Sequence, residues 1–407
     1  MSDTGRDRVV LSAVVFAVLF GQVLLYPGIP ELVSALGATP ADWGGGVDEV
    51  LDAGKWFLTA EFVGFILFAG LWGAASDALG RRTPLVLAGA LVGACCYLAL
   101  AAGARAALSY EGVLVIRFVQ GGATIGAFSL AITTLMDLDG GHGRNMGAAG
   151  LSIGAGTALG APVGGSLSAV DPLAPLYGAG AVLALAGLLA TRANDHPPAA
   201  TRGVTRAVRS LSARPALAVP FAFGFVDRLT AGFFALVGTV YFQAELGLDA
   251  AGTGLLLGAF FVPFALFQYP LGCLSDRIGR VLPIAAGSLA YGIAVVGVFY
   301  APDVATAALA MASVGVLGAL VAPATMALVT DLADSEGRGV AMGGFNVCGS
   351  LGFLTGIVGG ATLASGPGFE TAFLAVGLSE VLIAVLALPF LLRLGVPVTP
   401  WLDRRES

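Results

Sequence analysis

Charge is scarce in this chain. Only 11% of its 407 residues are Asp, Glu, Lys or Arg, whereas 57% are hydrophobic and the mean hydropathy is +0.90. Ordinary soluble domains carry roughly 25% charged residues, and a chain this apolar could not cover its own surface in water. A soluble globular protein is thereby excluded. Lysine occurs once, as Lys55, and the sequence pI is near 4.9. That balance excludes a basic nucleic-acid-binding surface. Lys55 is followed by Trp56, so the Gly-Lys-Ser/Thr core of a phosphate loop is missing and an ATP-driven pump with it. Both histidines, His142 and His196, sit in polar loops, and the four cysteines, Cys95, Cys96, Cys273 and Cys348, lie in apolar stretches. The Cys95–Cys96 neighbours fit no zinc or redox spacing. No metal site and no cofactor is expected, and without clustered His, Cys or paired acids at a membrane face, no enzyme. The first apolar run, from Val9, is long and ends in Pro27 and Pro30 without a small-residue cleavage site, so no cleavable signal peptide is expected.

Long apolar runs are what the chain has instead. A bilayer core of about 30 Å needs about 20 apolar residues in a helix. Twelve such runs are expected at 9–36, 54–76, 83–103, 109–137, 145–168 and 173–192, then at 216–245, 251–275, 281–300, 304–331, 338–364 and 370–393. Glycine, with 60 residues, suits close helix packing in a bilayer. Between the two sets of six lies 193–215, with Pro197, Pro198 and several arginines, which reads as a linker. The expected domains are therefore 1–192, a linker 193–215, and 216–407.

Arginine placement orients the chain. With both termini inside, the cytoplasmic segments hold 16 of the 20 basic residues, the outer side holds Lys55 and Arg105, and the spans hold Arg117 and Arg228. The expectation is a multi-pass protein of the cell's inner membrane with both termini cytoplasmic. The stretch before the second span carries Trp43, Gly44, Gly45 and Gly46 with Asp42, Asp48, Glu49 and Asp52, and reads as a solvated acidic loop.

The same design occurs twice. Gly73-x-x-x-Asp77-x-x-Gly80-Arg81 returns as Gly272-x-x-x-Asp276-Arg277-x-Gly279-Arg280, 199 residues later. Asp137-Leu138 with Gly143-Arg144 returns as Asp331-Leu332 with Gly337-Arg338, 194 residues later. Two matched pairs at nearly one offset, each in a short inner loop, point to duplication. These loops resemble the signature loop of the major facilitator superfamily between helices 2 and 3, although the first copy has Ala78 where that family usually has Arg. Arg117-Phe118-Val119-Gln120-Gly121 is similar to the family's Arg-x-x-Gln-Gly in helix 4. Gly156-x-x-x-Gly160-Ala161-Pro162-Val163-Gly164-Gly165 resembles the helix-5 motif of its drug–proton antiporters, with Pro162 one residue late. The counterpart in helix 11, Gly356-Ile357-Val358-Gly359-Gly360, has no proline.

The resemblance implies an all-α membrane protein of two pseudo-symmetric six-helix bundles around a central cavity, working by alternating access. It also implies that the charged inner loops hold an inner gate shut. Arg81 is expected to bond carbonyls or the Asp137 carboxylate, and Arg280 to do the same with Asp331. A loop serving orientation alone would not need Asp77 and Asp276, because acids contribute little to topology.

Charges inside spans are costly and mark candidate sites. Glu61 lies about seven residues into helix 2 from the outside and Arg117 about seven into helix 4, so both stand roughly 10 Å deep and are expected either to pair structurally or to titrate as a coupling pair. Asp227, about ten residues into helix 7, falls near the midplane where coupling sites gather. Arg228 beside it points elsewhere, about 100° around the helix. Glu380, in helix 12, belongs to a helix that the resembled fold keeps away from its cavity. Ten phenylalanines in 221–269 fit either an aromatic cavity wall or ordinary packing. The expected function is proton-coupled efflux of small amphipathic compounds by a monomeric carrier. Its partners are a small-molecule substrate, protons and the lipid bilayer, with no nucleic acid. The alternative is uptake or export of a small metabolite by proton symport or uniport.

Overall fold

The twelve apolar runs form twelve helices in the computed structural model, which describes residues 3–38, 46–139, 142–195, 214–333 and 338–393. In chain order these are α1 (Asp3–Ala35), α2 (Gly46–Leu79), α3 (Thr83–Arg105), α4 (Tyr110–Asp137), α5 (His142–Val170), α6 (Ala174–Ala190), α7 (Pro215–Ala244), α8 (Ala250–Ile278), α9 (Val281–Phe299), α10 (Val304–Leu332), α11 (Arg338–Ser365) and α12 (Phe369–Arg393). No strand occurs among the described residues. Among the described residues, eleven helices are long and apolar enough to cross a bilayer. The twelfth, α6, has 17 residues and rises about 25 Å, at the lower limit for a span.

Local chemistry explains most boundaries. Pro27 and Pro30 withdraw backbone donors, and α1 breaks there into a 3-10 turn at Tyr26–Gly28 before resuming at Ile29. Ser109 accepts a hydrogen bond from the Gly112 amide at the start of α4, and Asp303 accepts one from the Thr306 amide at the start of α10, both as N-caps. The two repeated charged loops end their helices on glycines in the left-handed region, Gly80 at φ 63° and Gly279 at φ 92°. Such a conformation strains any residue with a Cβ.

One boundary differs from the sequence expectation. Residues 46–53 are helical, so α2 starts well before its apolar run. Asp48 and Glu49 fall in its first turn, where acids complement the helix dipole. Asp52 pairs with Lys55 at 2.6 Å one turn on. Asp42, Trp43, Gly44 and Gly45 lie outside the described residues, as do most of the linker, 196–213, and His196 within it.

The chain divides into two compact units: Met1–Thr201 with Thr239–Gly258, and Arg202–Gly238 with Ala259–Ser407. The hairpin joining α7 to α8 thus packs with the first six helices. Gln243 donates to the Pro27 carbonyl at 3.0 Å and to Glu31 at 3.3 Å. The division inside α7 falls immediately after a π-helical turn, Phe234–Gly238.

Glycine sets the helix contacts of the first unit. Gly156, Gly160 and Gly164 lie four residues apart on one face of α5. A Cβ at any of them would run into the α1 backbone at Phe16, Phe20 or Leu24. Gly165 meets the α8 backbone at Ala250 and Gly254, and Pro162 lies against Gly258. The helix-5 motif is therefore a packing surface facing two helices. In the second unit, Phe223, Phe233 and Phe234 are fully buried. Phe233 and Phe234 both stack edge-on against Phe373 of α12. Packing, rather than an open aromatic wall, accounts for these rings.

Candidate functional site

Helices α2 and α4 cross at glycine. A Cβ on Gly121 would strike the Glu61 carbonyl, and one on Gly64 would strike the Phe118 carbonyl. This close approach brings Glu61 and Arg117 together from their shared depth. Arg117 donates from Nη2 to Glu61 Oε2 at 2.5 Å and from Nη1 to Gln120 Oε1 at 2.5 Å. The guanidinium lies over the Phe57 ring at 4.4 Å and near the Tyr97 ring at 5.9 Å. Tyr26 of α1 is within electrostatic range of both charges. Helices α1 to α4 thus all contribute to one polar cluster inside the first unit.

Burial of this cluster is complete. Glu61, Arg117 and Gln120 are each 0% exposed. The glycine crossing and the Phe57 and Tyr97 rings enclose them. Glu61 Oε1, Arg117 Nε and Gln120 Nε2 have no hydrogen-bond partner among the described residues. The carboxylate therefore keeps one oxygen able to take a proton while the other stays on the guanidinium.

The second unit builds the same crossing without charge. At the repeat offsets, Glu61 corresponds to Phe260, Gly121 to Gly315 and Arg117 to Met311. A Cβ on Gly315 would strike the Phe260 carbonyl, as Gly121 does with Glu61. Phe260 and Met311 are buried. The crossing geometry thus stands with an apolar pair. Replacing buried ion pairs by apolar side chains of similar volume is often neutral or stabilising, so the fold alone gives no reason for the ion pair.

The inner loops differ in detail from expectation. Asp137 is held by Arg82 at 2.5 Å, not by Arg81. Arg81 instead pairs with Asp195 at 2.8 Å. With Gly80 turning the chain, the two adjacent arginines point to different partners. Asp195 also accepts from the Arg82 and Thr83 amides at 2.9 and 3.1 Å, and so caps α3 from the end of α6. Burial pushes its carboxyl up, but the Arg81 guanidinium and the two amides outweigh that and hold it below the usual carboxylate range. Asn194 bonds Asp7, while Arg8 bonds Asn145 at 2.7 Å and the Asp139 carbonyl. In the second unit Arg280 takes the expected Asp331 at 3.2 Å and also Asp276 at 2.6 Å.

The remaining candidates are placed as follows. Gly73 and Gly272 are half-buried within α2 and α8, and Asp77, Arg144 and Arg277 are exposed. The side chain of Arg338 lies outside the described residues. Asp227 is half-buried and Arg228 exposed on α7; neither joins the Glu61 cluster. Sequence reasoning missed Arg82, Asp195, Asp7, Arg8 and Asn145. The one available signal was the doubled Arg81-Arg82 against two acids, Asp137 and Asp195, which does not say who pairs with whom.

Twelve apolar helices in two repeats, carrying few buried charges and matched charged loops, define a polytopic membrane carrier. The chain belongs to the Major Facilitator Superfamily, whose profile matches residues 11–240 and 221–406; it is a multi-pass membrane transporter. A tetracycline resistance protein, class G, from Vibrio anguillarum is 28% identical over 74% of this chain and 77% of its own length. A quinolone resistance transporter from Acinetobacter baumannii is 30% identical, but the match covers 42% of this chain and 40% of that protein. An uncharacterised transporter of the superfamily from Methanocaldococcus jannaschii is likewise matched over only 42% of its length. Among solved structures, a nucleoside transporter superposes with a TM-score of 0.74 at 15% identity, covering 95% of this chain and 98% of the other. A D-xylose–proton symporter gives 0.72 at 15% identity, covering 93% and 96%. These structures show a shared fold.

Proposed function

We propose that this transporter couples proton movement to export of small amphipathic compounds, with Glu61 as the group that takes the proton. The observation that carries the reading is the buried Glu61–Arg117 pair at a crossing whose twin is built from Phe260 and Met311. A buried pair is strongly sensitive to the state of either partner, and protonating Glu61 would loosen its hold on Arg117. Coupling requires a ligand that favours one conformational state over another. A proton on Glu61 does this if one state keeps the pair sealed and the other lets Glu61 meet water.

Export of amphipathic compounds is supported by the resemblance to the tetracycline and quinolone resistance proteins and to a puromycin resistance protein of Streptomyces alboniger. In this reading the carrier is a monomer in the cell's inner membrane with both termini cytoplasmic. The inner-loop pairs Arg82–Asp137 and Arg280–Asp331 hold the gate-side helix ends of each half. Asp77 and Asp276 bias the balance between states.

The test is transport in proteoliposomes under an imposed pH gradient, using a panel of tetracycline- and quinolone-like compounds. Wild type should concentrate at least one of them. Glu61→Gln should abolish accumulation while retaining binding and downhill exchange. Accumulation by Glu61→Gln at the wild-type level would refute the role of Glu61.

A further inference from the structure

A second carboxylate is sealed in helix packing, in the other unit. Glu380 of α12 is 1% exposed. The Ser288 hydroxyl of α9 donates to its Oε2 at 2.6 Å, and the Thr230 hydroxyl of α7 donates to its Oε1 at 3.3 Å. Asp227 precedes Thr230 by three residues, on the same helix face, and lies within electrostatic range of Glu380. Tyr291, one turn beyond Ser288 and 2% exposed, lies near both acids. Three helices thus bring two carboxyls and three hydroxyls together.

No basic group among the described residues bonds to Glu380. Arg228, the one basic residue of α7, follows Asp227, but it is exposed and its stem runs along α11 at Gly349. Neither α9 nor α11 supplies a charge here: α9 has none, and α11 has only Arg338 at its first position. On α12 itself the other charges are Glu370 and Arg393 near its ends. An ionised carboxylate in this setting lacks a counter-ion, and that costs several kcal/mol even after relaxation. A protonated carboxyl is satisfied if Ser288 donates to its Oε2 while the Thr230 oxygen accepts the proton of its Oε1, because the Thr230 hydroxyl has a second acceptor in the Val226 carbonyl at 3.4 Å.

We propose that Glu380 is a second proton-binding site, distinct from Glu61, where Ser288 and Thr230 orient a neutral carboxyl, with Asp227 one turn from Thr230 on α7. The duplication supplies no twin for it: at the offset of 194 that holds in this part of the repeat stands Ala186. Losing the proton sets two like charges at the contact of α7, α9 and α12. The second half therefore gains a pH response of its own, added to the Phe233 and Phe234 contacts with Phe373 that join α7 to α12.

Infrared spectroscopy of the full-length protein in lipid tests this through the carbonyl stretch of a buried protonated carboxyl. Glu61→Gln serves as the background, so that the other sealed acid is silent. At neutral pH the band is expected in Glu61→Gln, to persist in Glu61→Gln/Asp227→Asn, and to vanish in Glu61→Gln/Glu380→Gln. Labelling with 13C-glutamate should shift the band, and 13C-aspartate should not. Run in Glu31→Gln/Glu61→Gln, because Glu31 is also half-buried, the isotope arm decides the matter even if the Glu380 variant fails to fold. A band unchanged by Glu380→Gln, a shift with labelled aspartate alone, or loss of the band on adding sodium at fixed pH would overturn the proposal. The last result would assign the oxygens to a metal cation.

Discussion

Arg117→Met is the most informative single perturbation. The pair it breaks is fully buried on both sides and closes at 2.5 Å. Removing the guanidinium strands Glu61 among Phe57, Tyr97 and the Gly121 backbone, and unpaired buried charges of this kind cost about 3–5 kcal/mol. Adding Glu61→Leu removes the stranded group. Apolar replacement of both partners of a buried pair is often neutral, or stabilising by about 1–4 kcal/mol. The Phe260 and Met311 positions of the second half show that the crossing accepts apolar side chains. The single variant should therefore melt well below wild type in detergent, and the double variant should melt close to it. Transport against a concentration gradient should stay lost in both. The cycle separates stability from function because one variant restores the first and not the second. If the double variant also restores uphill transport, the pair is structural and Asp227 becomes the better coupling candidate. If Arg117→Met melts at the wild-type temperature, no costly charge is left behind and the energetic argument fails.

Other outcomes follow from the loops and crossings. Arg82→Ala should destabilise the first unit by about 1.5–3 kcal/mol through its charged hydrogen bond, whereas exposed Arg81→Ala should cost about 1 kcal/mol or less; thermal melts of the two compare them directly. Asp195→Asn should cost about 1 kcal/mol as a lost cap. Because its carboxyl sits below the usual range, the wild-type contribution is complete above about pH 4 and disappears as pH falls through the depressed value, so the two proteins should converge in stability at acid pH. Gly121→Ala and Gly315→Ala should each cost about 1–3 kcal/mol by overpacking, seen as lowered melting temperatures of similar size. Single cysteines at Ser2, in the linker and at Ser407, in a background without the native cysteines, should resist an impermeant thiol reagent in intact cells; labelling from outside would reverse the proposed orientation.

The spans were legible because a bilayer imposes one length and one composition on every helix. α3, α10 and α12 begin and end within a residue or two of the apolar runs that announce them. The Glu61–Arg117 pair was legible for a related reason: depth in a spanning helix is a count of residues, and two opposite charges at one depth on neighbouring helices find each other. The start of α2 was not, since acids suit a solvated loop and a first helical turn equally well. The partner of Asp137 was hidden because the left-handed turn at Gly80 decides which of two adjacent arginines faces it, and no residue count reveals that. The Glu380 cluster was hidden more deeply. Its hydroxyl partners come from α7 and α9, at sequence separations of 150 and 92 residues, and serines and threonines in apolar helices carry no sign of what they bond.

The cap that Asp195 places on α3 bears on the order in which the protein is made. Residues 194 and 195 come one short turn after α6, and their bonds to Asp7, Arg81, Arg82 and Thr83 need nothing synthesised later. This end of the first six helices can therefore be fastened before the α7–α8 hairpin is complete. The opposite end has no such independence. The Gln243 bonds to Pro27 and Glu31, and the meeting of Gly165 with Gly254, wait for the hairpin that ends at Gly258. A nascent chain halted between these points would hold a bundle finished on one side of the membrane and open on the other, and a truncation series through residues 195 to 258 would catch it there.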